Sequence, residues 1–278
     1  LNLIYRLFRK IKRLFLQKEI IPIYQPVDAN KILQNKVILI TGGTGGIGYS
    51  IAKQAVASGA KVILCGTNEA KLNKLSLELG ENAKGYKYDL SLLDDDIDNI
   101  MGEIAALFPK NCIDILVNSA GIHGELNFFN ESIQEFDKIM SINVKGTYFI
   151  SQAVAKQMIE KGIKGHILNI SSSSALRPAS TPYQISKWAI NGMTKGLADI
   201  LLPYGIIVNA IAPGPTATSM VKDINNTNLY FEHQPSHRYT TPEEIANLAI
   251  FMISDMGNMI VGDTYYITGG SGTISYHR

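Results

Sequence analysis

Tyr183 stands four residues before Lys187, directly after Pro182. Upstream, the serines Ser171 to Ser174 close an apolar stretch. Tyrosine and lysine in this pattern can move a proton at a carbonyl or alcohol oxygen. A free tyrosine, with a pKa near ~10, is a poor base near neutrality. A fixed ammonium beside it favours the phenolate and lowers that pKa. On a helix the two side chains are one turn apart and can face the same cleft. Such a pair is common on helix surfaces, so its meaning depends on what else the chain carries.

The second chemical signal is Thr41-Gly42-Gly43-Thr44-Gly45-Gly46-Ile47-Gly48. It follows an apolar, β-branched run, Val37 to Ile40, and opens a helical stretch, Ile47 to Ser58. Glycine permits a left-handed turn and lets backbone N–H groups approach a pyrophosphate. Two glycine spacings fit, TGxxxGxG and TGxxGxxG, and the residues do not choose between them. A ribose 2′-hydroxyl is usually held by an acid at the end of the next strand. Here that strand ends Leu64-Cys65-Gly66-Thr67-Asn68, and the nearest acid is Glu69. NADP(H) is therefore expected over NAD(H), with Thr67 and Asn68 able to hydrogen-bond a phosphate but no arginine to neutralise it. Asp89 and Leu90, after the third strand, suit either an adenine contact or a plain helix N-cap.

These motifs need elements to carry them. Apolar strands alternate with amphipathic helices from Lys36 onward. Strands are expected at 37–40, 61–65, 85–88, 113–117, 166–170, 206–211 and 264–267. Helices are expected at 47–58, 69–79, 94–108, 131–140, 144–161, 182–202 and 243–254. This alternation implies a doubly wound, mostly parallel Rossmann sheet in a single domain, 36–278, covered on both faces. Ligands of such sheets bind at the carboxyl ends of the strands, where the motifs lie. Residues 214–240 show no clear period.

Taken in order, the motifs resemble the short-chain dehydrogenase/reductase family in its compact form. The resemblance covers about Lys36 to Gly270. It rests on Thr41-Gly42-x-x-x-Gly46-x-Gly48, Asn118-Ser119-Ala120-Gly121, Asn143, Ser172, Tyr183-x-x-x-Lys187 and Pro213-Gly214-x-x-x-Thr218. It implies an oxidoreductase that moves a hydride between NADP(H) and a carbonyl/alcohol pair, with Tyr183 as general acid/base. Ser172 would hold the reacting oxygen, Lys187 the nicotinamide ribose, and Asn143 a water relay. The cofactor residues implied are Gly42, Thr44, Gly46, Ile47, Gly48, Thr67, Asn68, Asp89, Leu90, Asn118, Ala120, Gly121, Tyr183, Lys187, Pro213, Gly214, Thr216 and Thr218. Ser172 lies eleven residues before Tyr183, two fewer than the common family spacing. The shortening is placed in the loop 175–181, and Ser171 or Ser173 could replace Ser172. His123 with Glu125, and Met220 with Tyr230, Phe231 and His233, are candidate substrate contacts. A 3-oxoacyl thioester is the first substrate expectation and a keto sugar of envelope biosynthesis the second. A non-catalytic NADP(H)-binding regulator is the alternative from another class. Helices 144–161 and 182–202 would pair two copies in a homodimer or homotetramer.

The bulk numbers restrict the partners. The net charge of +2 is uneven, since residues 1–36 hold eight Lys/Arg and two acids. The remainder is mildly acidic, so no nucleic-acid surface is expected. Leu3, Ile4, Leu7, Phe8, Ile11, Leu14 and Phe15 share one face of a helix at 3–16, opposite Arg6, Arg9, Lys10, Lys12 and Arg13. This extension, 1–35 with its linker, would contact a membrane surface peripherally or pack on protein. Cys65 and Cys112 form no CxxC or Cys/His cluster, so no metal site or disulfide framework is expected. The expected location is cytoplasmic, with the inner membrane surface as the alternative.

Overall fold

The computed structural model describes residues 31–93, 96–125, 127–218 and 229–274. The expected amphipathic helix at 3–16 and the candidate Met220 lie outside the described residues.

Seven strands form one parallel sheet: β1 (Val37–Thr41), β2 (Lys61–Gly66), β3 (Ala83–Lys87), β4 (Ile115–Asn118), β5 (His166–Ile170), β6 (Ile207–Pro213) and β7 (Thr264–Ile267). Their order is β3-β2-β1-β4-β5-β6-β7. Every residue of β1, β4, β5 and β6 is buried. Such strands read as continuous apolar runs because both faces are covered. Among the described residues, seven α-helices supply the cover: α1 (Gly46–Ala57), α2 (Glu69–Leu79), α3 (Ile97–Ala106), α4 (Ile133–Met140), α5 (Thr147–Glu160), α6 (Pro182–Leu201) and α7 (Pro242–Met252). One apolar core joins the sheet to α1, α2 and α7. The other joins it to α3, α5 and α6. This is the Rossmann arrangement expected from the alternation.

β1 pairs with β2 on one side and β4 on the other. Strand order reverses at that point, which opens a crevice beyond the carboxyl ends. The register aligns Thr41 with both Cys65 and Asn118, and Asn118 with Asn169. The polar ends of three central strands therefore stand side by side.

Three details differ from the sequence expectation. β3 begins at Ala83, because its alternating edge sequence AKGYK shows little apolar signal. Leu33, placed in the linker, is fully buried in the first core, and its N–H donates to the Ser58 carbonyl at 3.0 Å. The expected gap between two helices is a π-helical turn, Ser141–Gly146, that runs α4 into α5. Such turns often mark functional positions, and this one holds Asn143.

Candidate active site

Helix α6 presents the Tyr–Lys pair from a fixed start. Thr181 caps it by accepting from Gln184 N, while Gln184 Oε1 accepts from Thr181 N. Pro182 occupies the first turn, where no intrahelical N–H partner is needed. Tyr183 follows at once, half-buried, and Lys187 lies one turn on, 6% exposed. The Lys187 ammonium donates to the Ile170 carbonyl at the end of β5, at 2.9 Å. It lies 5.6 Å from the Tyr183 ring centre.

Burial lowers the Lys187 pKa to about 8. Burial raises the Tyr183 phenol, and a hydrogen bond with Ser172 opposes that rise. The expectation that lysine depresses the tyrosine is not met by these side chains alone. The ammonium is turned towards a carbonyl, and desolvation of the phenolate dominates. Burial therefore favours the neutral phenol.

The three candidate serines separate by partner. Ser171 Oγ donates to Asn191 Oδ1 at 2.6 Å and sits against the Lys187 carbonyl. Ser173 is buried at the start of a short 3₁₀ turn, Ser173–Leu176, which fills part of the shortened loop. Ser172 caps that turn, accepting from Ser174 N, and faces Tyr183.

Asn143 ties the site together. Its Oδ1 accepts from Ile122 N at 2.9 Å, and its Nδ2 donates to the Ile122 carbonyl and to Ser186 Oγ, both at 3.0 Å. Ser186 Oγ in turn donates to the Tyr183 carbonyl at 2.7 Å. The sequence reading passed over Ser186, which lies within the Tyr183–Lys187 span and is fully buried. A Cβ on Gly121 would stand 3.4 Å from Asn143 Oδ1 and 3.6 Å from Lys187 Nζ. The loop after β4 therefore closes directly onto the tyrosine–lysine helix.

The glycine turn fits a dinucleotide. Gly42 has φ +63°, and a Cβ there would meet Ala120 Cα at 2.7 Å. A Cβ on Gly46 would meet the Thr218 methyl at 2.6 Å. Gly48 is buried at the base of α1, and Ile47 packs against the first core. Helix α1 begins with no capping side chain and no acid in its first turn. Its free N–H groups and positive dipole end suit a pyrophosphate. Pro213 ends β6, Gly214 packs on Thr268, and Thr216 Oγ1 donates to the Gly214 carbonyl at 2.8 Å. Thr218 N donates to the Thr216 carbonyl, which brings that segment back over the glycine turn.

Several expected cofactor residues also have structural duties. Asn68 caps α2 by accepting from Lys71 N at 2.9 Å. Asp89 accepts from Ser91 N and Ser91 Oγ, so its side chain acts as an N-cap. Leu90 is buried against Gly146. Asn118 is 3% exposed and donates to Ser151 Oγ and Asn169 Oδ1, both at 2.9 Å. Asn169 continues to Thr194 Oγ1 at 3.0 Å. Ala120 N donates to Thr41 Oγ1 at 3.3 Å. Thr44 lies beside Gly66 at the end of β2, next to Thr67. Opposite Gly66 in register is Lys87, whose ammonium holds Glu69 at 3.4 Å.

Among the substrate candidates, the His123 ring lies on Tyr183, with centroids 4.6 Å apart and planes tilted by 50°. Phe231 stacks on Tyr239 at 4.5 Å and meets His233 edge-on. Tyr230 stacks on His237. These last rings pack mainly on one another. Glu125 is exposed. Among the described residues no group of His, Cys, Asp and Glu could hold a metal, and both cysteines are free and buried.

The model of the short chain dehydrogenase family matches residues 36–229, which include the glycine turn, the serines and the Tyr183–Lys187 pair. The chain belongs to the short-chain dehydrogenase/reductase family. A 3α-hydroxysteroid dehydrogenase of Mediterraneibacter gnavus is 37% identical, over 86% of this chain and 98% of that one. A 3-oxoacyl-[acyl-carrier-protein] reductase of Aquifex aeolicus is 33% identical over the same shares. A solved gluconate 5-dehydrogenase of Burkholderia cenocepacia, in complex with NADP and tartrate, superposes with a TM-score of 0.80. It is 28% identical, over 89% of this chain and 99% of that one. As a member of the short-chain dehydrogenase/reductase family, the chain is an oxidoreductase acting on carbonyl and hydroxyl groups.

Proposed function

We propose that this enzyme interconverts a ketone and its alcohol with NADP(H), and that Tyr183 is the general acid in reduction. The geometry that carries the reading is Tyr183 and Lys187 one helical turn apart on α6, with Ser172 at the phenol and Gly121 of the β4 loop against the Lys187 ammonium. When bound, the nicotinamide exchanges a hydride with the carbonyl carbon. The chain's own residues handle the oxygen. Tyr183 O–H donates its proton to the developing alkoxide, and the Ser172 hydroxyl holds the same oxygen. Lys187 holds the ribose and keeps positive charge near the phenol. Asn143 fixes the β4 loop and α6 in mutual position through Ile122 and Ser186, and supports the proton's resupply.

NADP(H) is proposed over NAD(H) because no acid stands at Thr67 or Asn68. The nearest carboxylate, Glu69, is held by Lys87. The NADP complex of the gluconate 5-dehydrogenase neighbour agrees with this choice. The cofactor contacts proposed remain those expected from the sequence, with Asn68, Asp89 and Asn118 acting through loop shape as well.

A 3-oxoacyl thioester is the first proposed substrate, in line with 3-oxoacyl-[acyl-carrier-protein] reductases among the relatives. A keto sugar is the second, favoured by gluconate 5-dehydrogenases found by sequence and by structure. A regulator without chemistry has no use for Tyr183 and Lys187 together. We further propose a homodimer or homotetramer in the cytoplasm. Tyr148, Phe149, Ile185, Trp188 and Ile200 are exposed on α5 and α6, more apolar surface than a lone helix pair needs.

The test is NADPH consumption against 3-oxoacyl thioesters, keto sugar nucleotides and simple ketones, with NADH in parallel. Turnover of one class with NADPH, abolished in Tyr183→Phe, is expected. Tight NADPH binding without turnover on any class would favour the regulator.

A further inference from the structure

His123 is presented to the reaction centre by a backbone held on both sides. Ile122 before it is clamped at N–H and C=O by the Asn143 side chain. Gly124 after it is buried, and a Cβ there would press on Ile139 Cδ1 at 2.9 Å. Of these three residues only His123 is exposed. Its ring lies 4.6 Å from the Tyr183 ring, tilted by 50°. Among the described residues no hydrogen bond takes up either ring nitrogen of His123. A ring serving only to pack Tyr183 needs no nitrogen and no exposed edge.

A carbonyl oxygen accepting from Tyr183 sits about 2.6–3.2 Å beyond the phenol oxygen. A ring that flanks the phenol is then beside the atoms one or two bonds from the reacting carbon. We infer that His123 is a specificity residue that hydrogen-bonds a second oxygen on the substrate, close to the reacting carbonyl. The substrate class is a ketone carrying such an oxygen, a 1,3-dicarbonyl or a 2-hydroxy ketone, in preference to an isolated ketone. The inference rests on the oxidoreductase reading above and narrows it. A site that hydrogen-bonds a substrate oxygen discriminates against the analogue lacking it, because its own polar group is left unpaired.

The experiment compares the full chain with His123→Phe, which keeps a ring against Tyr183 and removes both nitrogens. Initial rates of NADPH oxidation are measured with 2-pentanone, ethyl 3-oxobutanoate and 1-hydroxy-2-butanone. For His123→Phe we expect kcat/KM to fall about tenfold on the two oxygen-bearing ketones, mainly through KM. The rate on 2-pentanone should stay within about twofold, and His123→Gln should recover part of the loss. An equal loss on all three would make His123 a support for Tyr183 and overturn the inference. So would unchanged rates on all three. NADPH fluorescence titration and thermal melting check that each variant is folded, and His123→Gln carries the comparison where the phenylalanine variant is not. No turnover by the unmutated chain on any ketone, including the larger substrates above, would overturn the oxidoreductase reading and this inference with it.

Discussion

Tyr183 meets three different neighbours: a hydroxyl at Ser172, an imidazole at His123 and an ammonium at Lys187. Replacing it by phenylalanine keeps the ring contacts and removes the hydroxyl, with its proton and its bond to Ser172. Turnover should fall by about 10²–10⁴-fold, with NADPH affinity unchanged in a fluorescence titration. In the proposed mechanism Lys187 sets the pH response. Its pKa is lowered to about 8, so the ammonium is present below that value and lost above it. The raised phenol stays protonated across the same range. Reduction, measured as kcat/KM, should hold on the acid side of about 8 and decline above it. In Lys187→Arg, which keeps its charge, the decline should move to higher pH. Tyr183 and Lys187, the proposed catalytic pair, could be singled out from the sequence because their helical spacing came together with the glycine turn and the serines. The choice among Ser171, Ser172 and Ser173 was not, since it depends on which hydroxyl leaves the strand towards Tyr183. Ser186 escaped notice because its work, linking Asn143 to the Tyr183 carbonyl, is a contact between elements.

At the scale of elements, α6 organises the centre. It carries Tyr183 and Lys187, receives Asn143 through Ser186, and takes the Asn118–Asn169 chain at Thr194. Its outer side shows Ile185, Trp188 and Ile200, while α5 shows Tyr148 and Phe149. If these helices pair two copies, Phe149→Glu with Trp188→Glu should shift the molar mass from light scattering to that of one chain. The melting profile should show that chain still folded, because neither side chain belongs to the cores. Most strands were readable from their apolar runs: β5 and the edge strand β7 match their expected limits, β1 and β2 extend one residue further, and β4 and β6 start later and end further on. Helix α2 matches as well, its start marked by Asn68 and its end by Gly80. β3 was less readable because its residues, AKGYK, carry little apolar signal. The π turn at Ser141–Gly146 had no distinct sequence signal, since its residues differ little from those of an ordinary helix.

For the whole molecule, the opposite end of the sheet sets a limit on acid stability. His166, 7% exposed at the start of β5, has its pKa lowered to about 4 by burial and by Lys36, against Asp255 and a hydrogen bond with Asn258. The folded state therefore prefers neutral imidazole. That contribution is complete above the ordinary value near 6.5 and is lost as pH falls from there towards about 4. The loss amounts to about 3 kcal/mol at its fullest. Urea midpoints between pH 7 and 4 should fall accordingly, and His166→Gln should flatten that part of the curve. The sheet order has a further consequence for how the protein is made. β1 lies beside β4, so Ile38 must wait for Ile115, far along the chain. The first three strands and the glycine turn can close while the remainder is still being synthesised. Ser172, Tyr183 and Gly214 arrive only later, from strand ends across the second half. A ribosome-bound chain stopped after β3 would carry the glycine turn without Ala120, Thr218 or the proposed proton donor, so reactivity would be among the last properties a growing chain acquires.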